Sequence, residues 1–242
     1  NADNRWFEFL ASEARGAGAL VAAFGMSGGV DAQLTSHRIE AGRAQIEARW
    51  HGREIAFSLS HTGRHQAVNA LAALLLLVAL EVDLDTSLAA LESFETLDGR
   101  GKVVARAVRG GEITVIDESY NANPVSMRAT LQSLGEQAAG GRKIAVLTDM
   151  LELGADAAAQ HAGLAGALAA AGVARVFLAG PLMKSLWDVL PEAARGAWRE
   201  TAAELAPEVL NAVRAGDVVM IKGSNGSKAG LIAKALLAAE TI

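Results

Sequence analysis

The spacing of apolar positions divides the chain into two stretches of different rhythm. In the first, Trp6–Ala14 has helical spacing, and "ALVAAFG" at 19–25 reads as a short buried strand. "AQIEARW" at 44–50 alternates apolar and polar residues, His51-Gly52 supplies a turn, and "EIAFSLS" at 54–60 puts Ile55, Phe57 and Leu59 on one face. That pattern predicts a hairpin with one buried side. A long apolar helix is predicted over 62–82. A shorter one follows over 83–97, with Asp85 or Thr86 as its N-cap.

The second stretch is more regular. "EITVID" (112–117), "KIAVLTD" (143–149), "RVFLAG" (175–180) and "DVVMIKG" (217–223) are apolar, β-branched runs of strand length. Helical spacing fills the gaps at Val125–Gln137, Asp156–Ala171, Met183–Leu190 and Ala202–Arg214. Strands alternating with helices predict an α/β fold with a parallel sheet covered on both faces.

Ligands of such sheets bind where the strands end at their carboxyl side. The segments there are "DESYNANP", "TDMLELG", "AGPLMK" and "KGSNGSK". In the first, Asn123 and Pro124 are accounted for by a helix start alone, as N-cap and first helical residue. Asp117 and Glu118 are not, because buried carboxylates without a partner are costly to desolvate. They suit the hydroxyls of a sugar or a cation. "KGSNGSK" has the ingredients of a phosphate loop, but Gly226 is followed by Ser227 before Lys228, and the Gly101-Lys102 pair is followed by Val103. No G-x-x-x-x-G-K-[ST] motif is present, and the loop reads as a glycine-rich turn suited to an anion.

Composition narrows the classes. The net charge of −5 gives no nucleic-acid footprint. With no cysteine there is no disulfide framework, thiolate metal site or cysteine nucleophile, which fits a reducing cytoplasm. The longest apolar run, Ala70–Val82, is shorter than the roughly 20 residues of a membrane span. The histidines (37, 51, 61, 65, 161) form no H-x-x-x-H pair within a helix, so no metal site is expected in this chain. His65 and Asn69, four apart near the start of the long helix, share a face.

In order and spacing, six segments resemble the Mur ligase family: "NAD" at 1–3, "GRHQAVNALAA" at 63–73, "GRG" at 99–101, "DESYNANPVSMRATL" at 117–131, "DMLELG" at 149–154 followed by His161, and "VVMIKGSNGS" at 218–227. "SYNANP" and "DMLELG" look most like the branch that adds D-alanyl-D-alanine. The resemblance implies that 1–98 is the later part of a central, mixed α/β ATP-binding domain. It also implies that 99–242 is a Rossmann-like closing domain with a mostly parallel sheet, joined through "DGRGK" as a hinge. The P-loop and the main Mg²⁺ ligands are expected upstream, so the chain alone is expected to be inactive.

The implied reaction is ATP-dependent joining of D-Ala-D-Ala to UDP-MurNAc-tripeptide through an acyl phosphate, by a monomeric bacterial cytoplasmic enzyme. By the same resemblance Asn69 contacts adenine, with His65 nearby. Arg100 reaches the nucleotide phosphates, and Glu118 binds the ribose hydroxyls where the family usually has Asp. Tyr120, Asn121, Asn123, Asp149, Lys222 and Ser224 face the reacting substrates. Gln66 and Thr148 depart from the family's usual Asn and Gly. Another Mur-type ligase, a folylpolyglutamate-type ligase and a non-catalytic nucleotide-binding module remain the alternatives. The last predicts G-x-G-x-x-G after a first strand, which the sequence lacks.

Overall fold

A computed structural model describes residues 1–40, 42–95 and 97–238. It divides into two compact units, Asn1–Glu95 and Thr96–Ile242.

The first unit begins with α1 (Phe7–Gly16) and β1 (Phe24–Gly25), followed by β2 (Ala32–Glu40), β3 (Arg43–Trp50) and β4 (Arg53–Leu59). The expected hairpin is β3–β4, pairing Ile46 with Phe57 and turning at His51-Gly52. β2 adds a third antiparallel strand, and β1 pairs with β2 in parallel. Ile46, Phe57 and Leu59 form the core with Leu71 and Leu74 of α2 (Arg64–Ala79), and α3 (Leu84–Ser93) packs beside them. Two expectations change. Only Phe24 and Gly25 of the segment at 19–25 enter the sheet, while Leu20 is fully exposed, because no neighbouring strand pairs with it. The N-cap of α3 is Asp83 rather than Asp85 or Thr86. Its carboxylate is near enough to accept from the Asp85 and Thr86 amides at 2.9 and 3.0 Å.

The second unit contains β5 (Lys102–Val108), β6 (Gly111–Glu118), α4 (Pro124–Glu136), β7 (Lys143–Thr148), α5 (Ala157–Ala162), α6 (Ala165–Ala170), β8 (Arg175–Ala179), α7 (Lys184–Val189), β9 (Arg195–Arg199), α8 (Ala202–Ala212), β10 (Val218–Lys222) and α9 (Ala229–Ala238). The sheet order is β5-β6-β10-β7-β8-β9, parallel except for β5. Successive residues of a strand point to opposite faces, so β7 sends Ile144 and Val146 one way and Ala145 and Leu147 the other. The first face is covered by Leu205 and Val209 of α8 and Ile232 and Leu236 of α9. The second is covered by Met127 and Leu131 of α4, Leu168 of α6 and Leu186 of α7. The predicted helix over Asp156–Ala171 breaks at Gly163, a poor helix former whose carbonyl accepts from the Arg128 guanidinium at 3.4 Å. β5 and β9 escape the periodicity because they are edge strands with charged positions, such as Arg106 and Arg199.

The amino ends of β7 and β10 are tied by an ion pair on a buried carboxylate. Asp217 is 2% exposed, and its carboxylate lies 2.6 Å from the Arg142 guanidinium. It also accepts from the Arg142 and Arg214 amides, at 3.0 and 2.9 Å. Burial alone would raise its pKa, but the bonds from Arg142 and Arg214 outweigh it and hold the carboxyl below its ordinary value. Because the folded-state value is the lower one, this stabilisation is complete above the unfolded-chain pKa of about 3.9 and is lost as pH falls through the folded value. Asp217→Asn should therefore destabilise the chain by about 2 kcal/mol at pH 7, since Arg142 remains partly solvated. In urea melts the gap to wild type should close as the pH is taken below about 4. A gap that does not change with pH would contradict this role.

Candidate active site

Three of the four strand-end segments meet on one side chain. Ser224, 7% exposed, follows β10, which lies between β6 and β7. Its Oγ accepts from the Leu151 amide at 3.0 Å and donates to the Ala122 carbonyl at 3.4 Å. The Ser224 amide donates to the Asp149 carbonyl at 3.1 Å. "SYNANP", "DMLELG" and "KGSNGS" are thus one bonded surface.

Next to Ser224, the parallel register sets Lys222 of β10 opposite Glu118 of β6. Lys222 is 3% exposed, and its Nζ lies 3.3 Å from Glu118 Oε2 and 3.0 Å from the Asn121 carbonyl. Burial pushes its ammonium below the ordinary lysine value, while the Glu118 carboxylate acts in the opposite direction. Lys222 is therefore an internal clamp on the 118–121 segment. The Glu118 side chain keeps a small exposed fraction of 12%, and the Asn121 side chain bonds the Ala122 amide at 2.9 Å. Asn123 is committed to the start of α4, accepting from the Ser126 amide at 2.8 Å in a capping box.

Asp149, 4% exposed, directly follows β7. Its carboxylate accepts from the Met183 amide at 2.9 Å and the Leu182 amide at 3.3 Å. Burial nevertheless raises its pKa above the ordinary carboxylate value. Beside it, fully buried His161 accepts from the Met150 amide at Nε2, 2.9 Å away. That nitrogen is the unprotonated one, so Nδ1–H donates to the Ala157 carbonyl at 2.6 Å. Thr148 Oγ1 bonds Ser227 Oγ at 2.6 Å. A Cβ on Gly223 would lie 1.7 Å from Thr148 Oγ1, so only glycine fits there.

Connections to opposite faces open a cleft at this edge. The chain leaves β7 and β8 toward the α5–α7 side, and leaves β9 and β10 toward α8 and α9. Between them lies a cleft of about 440 Å³, lined by Asp149, Pro181, Glu200, Thr201, Lys228 and Leu231 among others. Lys228 closes the "KGSNGSK" segment, whereas Glu200 and Thr201 lie outside the strand-end segments read from the sequence, and the fold brings them to Asp149.

Arg100 and Tyr120 are exposed, and the Arg100 guanidinium carbon lies over the Tyr120 ring, 4.0 Å from its centroid. The "GRG" segment belongs to the second unit. The Gly99 amide donates to the Asp117 carboxylate at 3.1 Å, and the Gly101 amide to the Asp117 carbonyl at 2.7 Å. In the sequence this segment reads as a hinge; in the structure its Gly99 and Gly101 amides are held by Asp117. His65 and Asn69 lie in the first unit, on α2. Asn69 is exposed, its amide 3.5 Å from the Gln66 side-chain oxygen. Among the described residues no group of three His, Cys, Asp or Glu side chains is placed to hold a metal ion.

The family model described as Mur ligase, glutamate ligase domain, matches residues 99–225, just over half of the chain. A UDP-N-acetylmuramoyl-tripeptide--D-alanyl-D-alanine ligase of Mycobacterium tuberculosis is 31% identical over 223 residues, covering 84% of this chain and 43% of that protein. Among solved structures, MurF from Acinetobacter baumannii superposes with a TM-score of 0.79 at 24% identity, over 96% of this chain and 50% of that one. MurF ligase from Thermotoga maritima in complex with ADP gives 0.74 at 23% identity, over 88% and 47%. At these identities the structural likeness is one of fold. The chain spans less than half the length of the curated relative. The matched segment holds the "GRG", "SYNANP" and "DMLELG" segments and the start of the Ser224 loop, and on that match this chain belongs to the Mur ligase family.

Proposed function

We propose that this chain supplies the closing domain and part of the nucleotide site of an ATP-dependent ligase of peptidoglycan precursors. The reaction joins D-Ala-D-Ala to UDP-MurNAc-tripeptide. The observation that carries the reading is the Ser224 hydroxyl, which joins the two segments most particular to the D-alanyl-D-alanine branch into one surface. A curated relative of that activity, similar over most of the chain, supports it.

In this reading the terminal carboxylate of the tripeptide attacks the γ-phosphorus of ATP, the bond to the β,γ-bridging oxygen breaks, and ADP leaves. The amine of the dipeptide then attacks the acyl phosphate, and phosphate leaves. Such chemistry needs positioning and charge neutralisation rather than a covalent nucleophile. Arg100 presents an exposed guanidinium for phosphate oxygens. Glu118, one oxygen held by Lys222, offers the other to ribose hydroxyls. Asn69 offers an exposed amide to adenine and His65 lines the same helix face, as residues 1–98 of a central ATP-binding domain. Tyr120, Asn121 and the Asp149 cleft face the substrates, while Lys222, Asn123 and Ser224 hold that surface in shape. In this reading the magnesium ligands and the phosphate loop lie outside these residues. The enzyme works as a cytoplasmic monomer. No helix among the described residues is long and apolar enough to cross a membrane.

With the full-length ligase, ADP release should require UDP-MurNAc-tripeptide and D-Ala-D-Ala together, and this chain alone should release none. Release supported equally by L-alanine with UDP-MurNAc, or by glutamate with a folate, would overturn the substrate assignment. Asn69→Ala should raise the KM for ATP about fivefold, as expected for one lost hydrogen bond. An unchanged KM would remove Asn69 from the nucleotide site.

A further inference from the structure

We infer that Tyr120 is a positioning residue for Arg100, holding its guanidinium in one orientation for the nucleotide phosphates. This rests on the reading of Arg100 as a phosphate contact.

The backbone of Arg100 is fixed on both sides. Asp117, 6% exposed, accepts from the Gly99 amide through its carboxylate and from the Gly101 amide through its carbonyl. The same carboxylate accepts from the Ser119 amide at 3.1 Å. The Tyr120 amide closes the ring by donating to the Gly99 carbonyl at 3.0 Å. Gly99 has φ +74°, and a Cβ there would lie 3.0 Å from the Tyr120 amide nitrogen and Cβ. The Gly99–Gly101 segment and the loop after β6 are therefore packed backbone to backbone, which leaves the Arg100 side chain as the free variable.

An exposed arginine loses much rotamer freedom when it binds a phosphate. The ring of Tyr120, 4.0 Å from the guanidinium carbon, removes part of that freedom beforehand. With the guanidinium carbon over the ring, one side of the group is covered, and the exposed remainder keeps N–H groups that can donate to phosphate oxygens in pairs. The ring performs this work, and the phenolic hydroxyl takes no part in it.

The test uses the full-length ligase and a double-mutant cycle read as the KM for ATP against kcat. Arg100→Ala should raise the KM about tenfold or more. Tyr120→Ala should raise it about threefold with a smaller effect on kcat, in line with an exposed cation–π contact. Tyr120→Phe should recover what Tyr120→Ala loses, and Tyr120→Ala should add nothing in the Arg100→Ala background. In this chain, NMR should show Arg100 side-chain signals shifted by the ring current and released in Tyr120→Ala. A flat KM in Arg100→Ala defeats the phosphate-contact reading and the inference with it. A raised KM in Arg100→Ala with a flat or fully additive Tyr120→Ala defeats the inference alone, as does a Tyr120→Phe no better than Tyr120→Ala.

Discussion

Everything at the ligand edge of the second unit depends on where β10 lies. It is the last strand in sequence, yet it pairs with β6 on one side and β7 on the other, in register along its length. Insertion at the centre brings its final residues against the loops of both neighbours. Lys222 faces Glu118 and Ser224 reaches Ala122 and Leu151. Burial of a lysine this deep is tolerable only with a carboxylate and a carbonyl within reach, and the register provides both. At the opposite end of the same strand, Asp217 and Arg142 fix the entry into β10. One strand is anchored at each end by an ion pair that includes a buried group, Asp217 at its start and Lys222 at its end.

The two covered faces then decide which loops can meet a ligand. Loops that leave toward α4–α7 and loops that leave toward α8 and α9 separate at the sheet edge, and the cleft beside Asp149 is the space between them. The polar groups around it are held mainly by backbone amides. Asp149 is gripped by Leu182 and Met183, Ser224 by Leu151, and His161 by Met150. Such a surface is built before any ligand arrives, which is what catalysis by positioning requires.

Much of this was legible in the residues. The apolar β-branched runs gave the central strands, and the Asn123-Pro124 pair marked the start of α4. The strand-end segments named the polar groups at the edge. Edge strands β5 and β9 did not show, since a strand paired on one side carries polar positions that blur its rhythm. Leu20 misled because apolar character alone cannot reveal whether a neighbouring strand exists. Lys222 and Ser224 read as loop groups facing ligand. Their burial follows from partners more than 100 residues away, which no local pattern contains. Asp117 showed itself as a carboxylate in need of partners, but the partners, the amides of Gly99 and Ser119, carry no side-chain signal.

The central claim is that the ligand edge is preorganised by the chain itself. Native-state amide hydrogen exchange on the free chain tests it most directly, read at Gly99, Met150, Leu151, Met183 and Ser224. These amides lie in connecting segments but donate to Asp117, His161, Ser224, Asp149 and the Asp149 carbonyl respectively. A preorganised edge predicts that they exchange as slowly as the amides of β7 and β10, in one cooperative unit with the sheet. Exchange at the rates of unprotected loops, with the strands still protected, would contradict it.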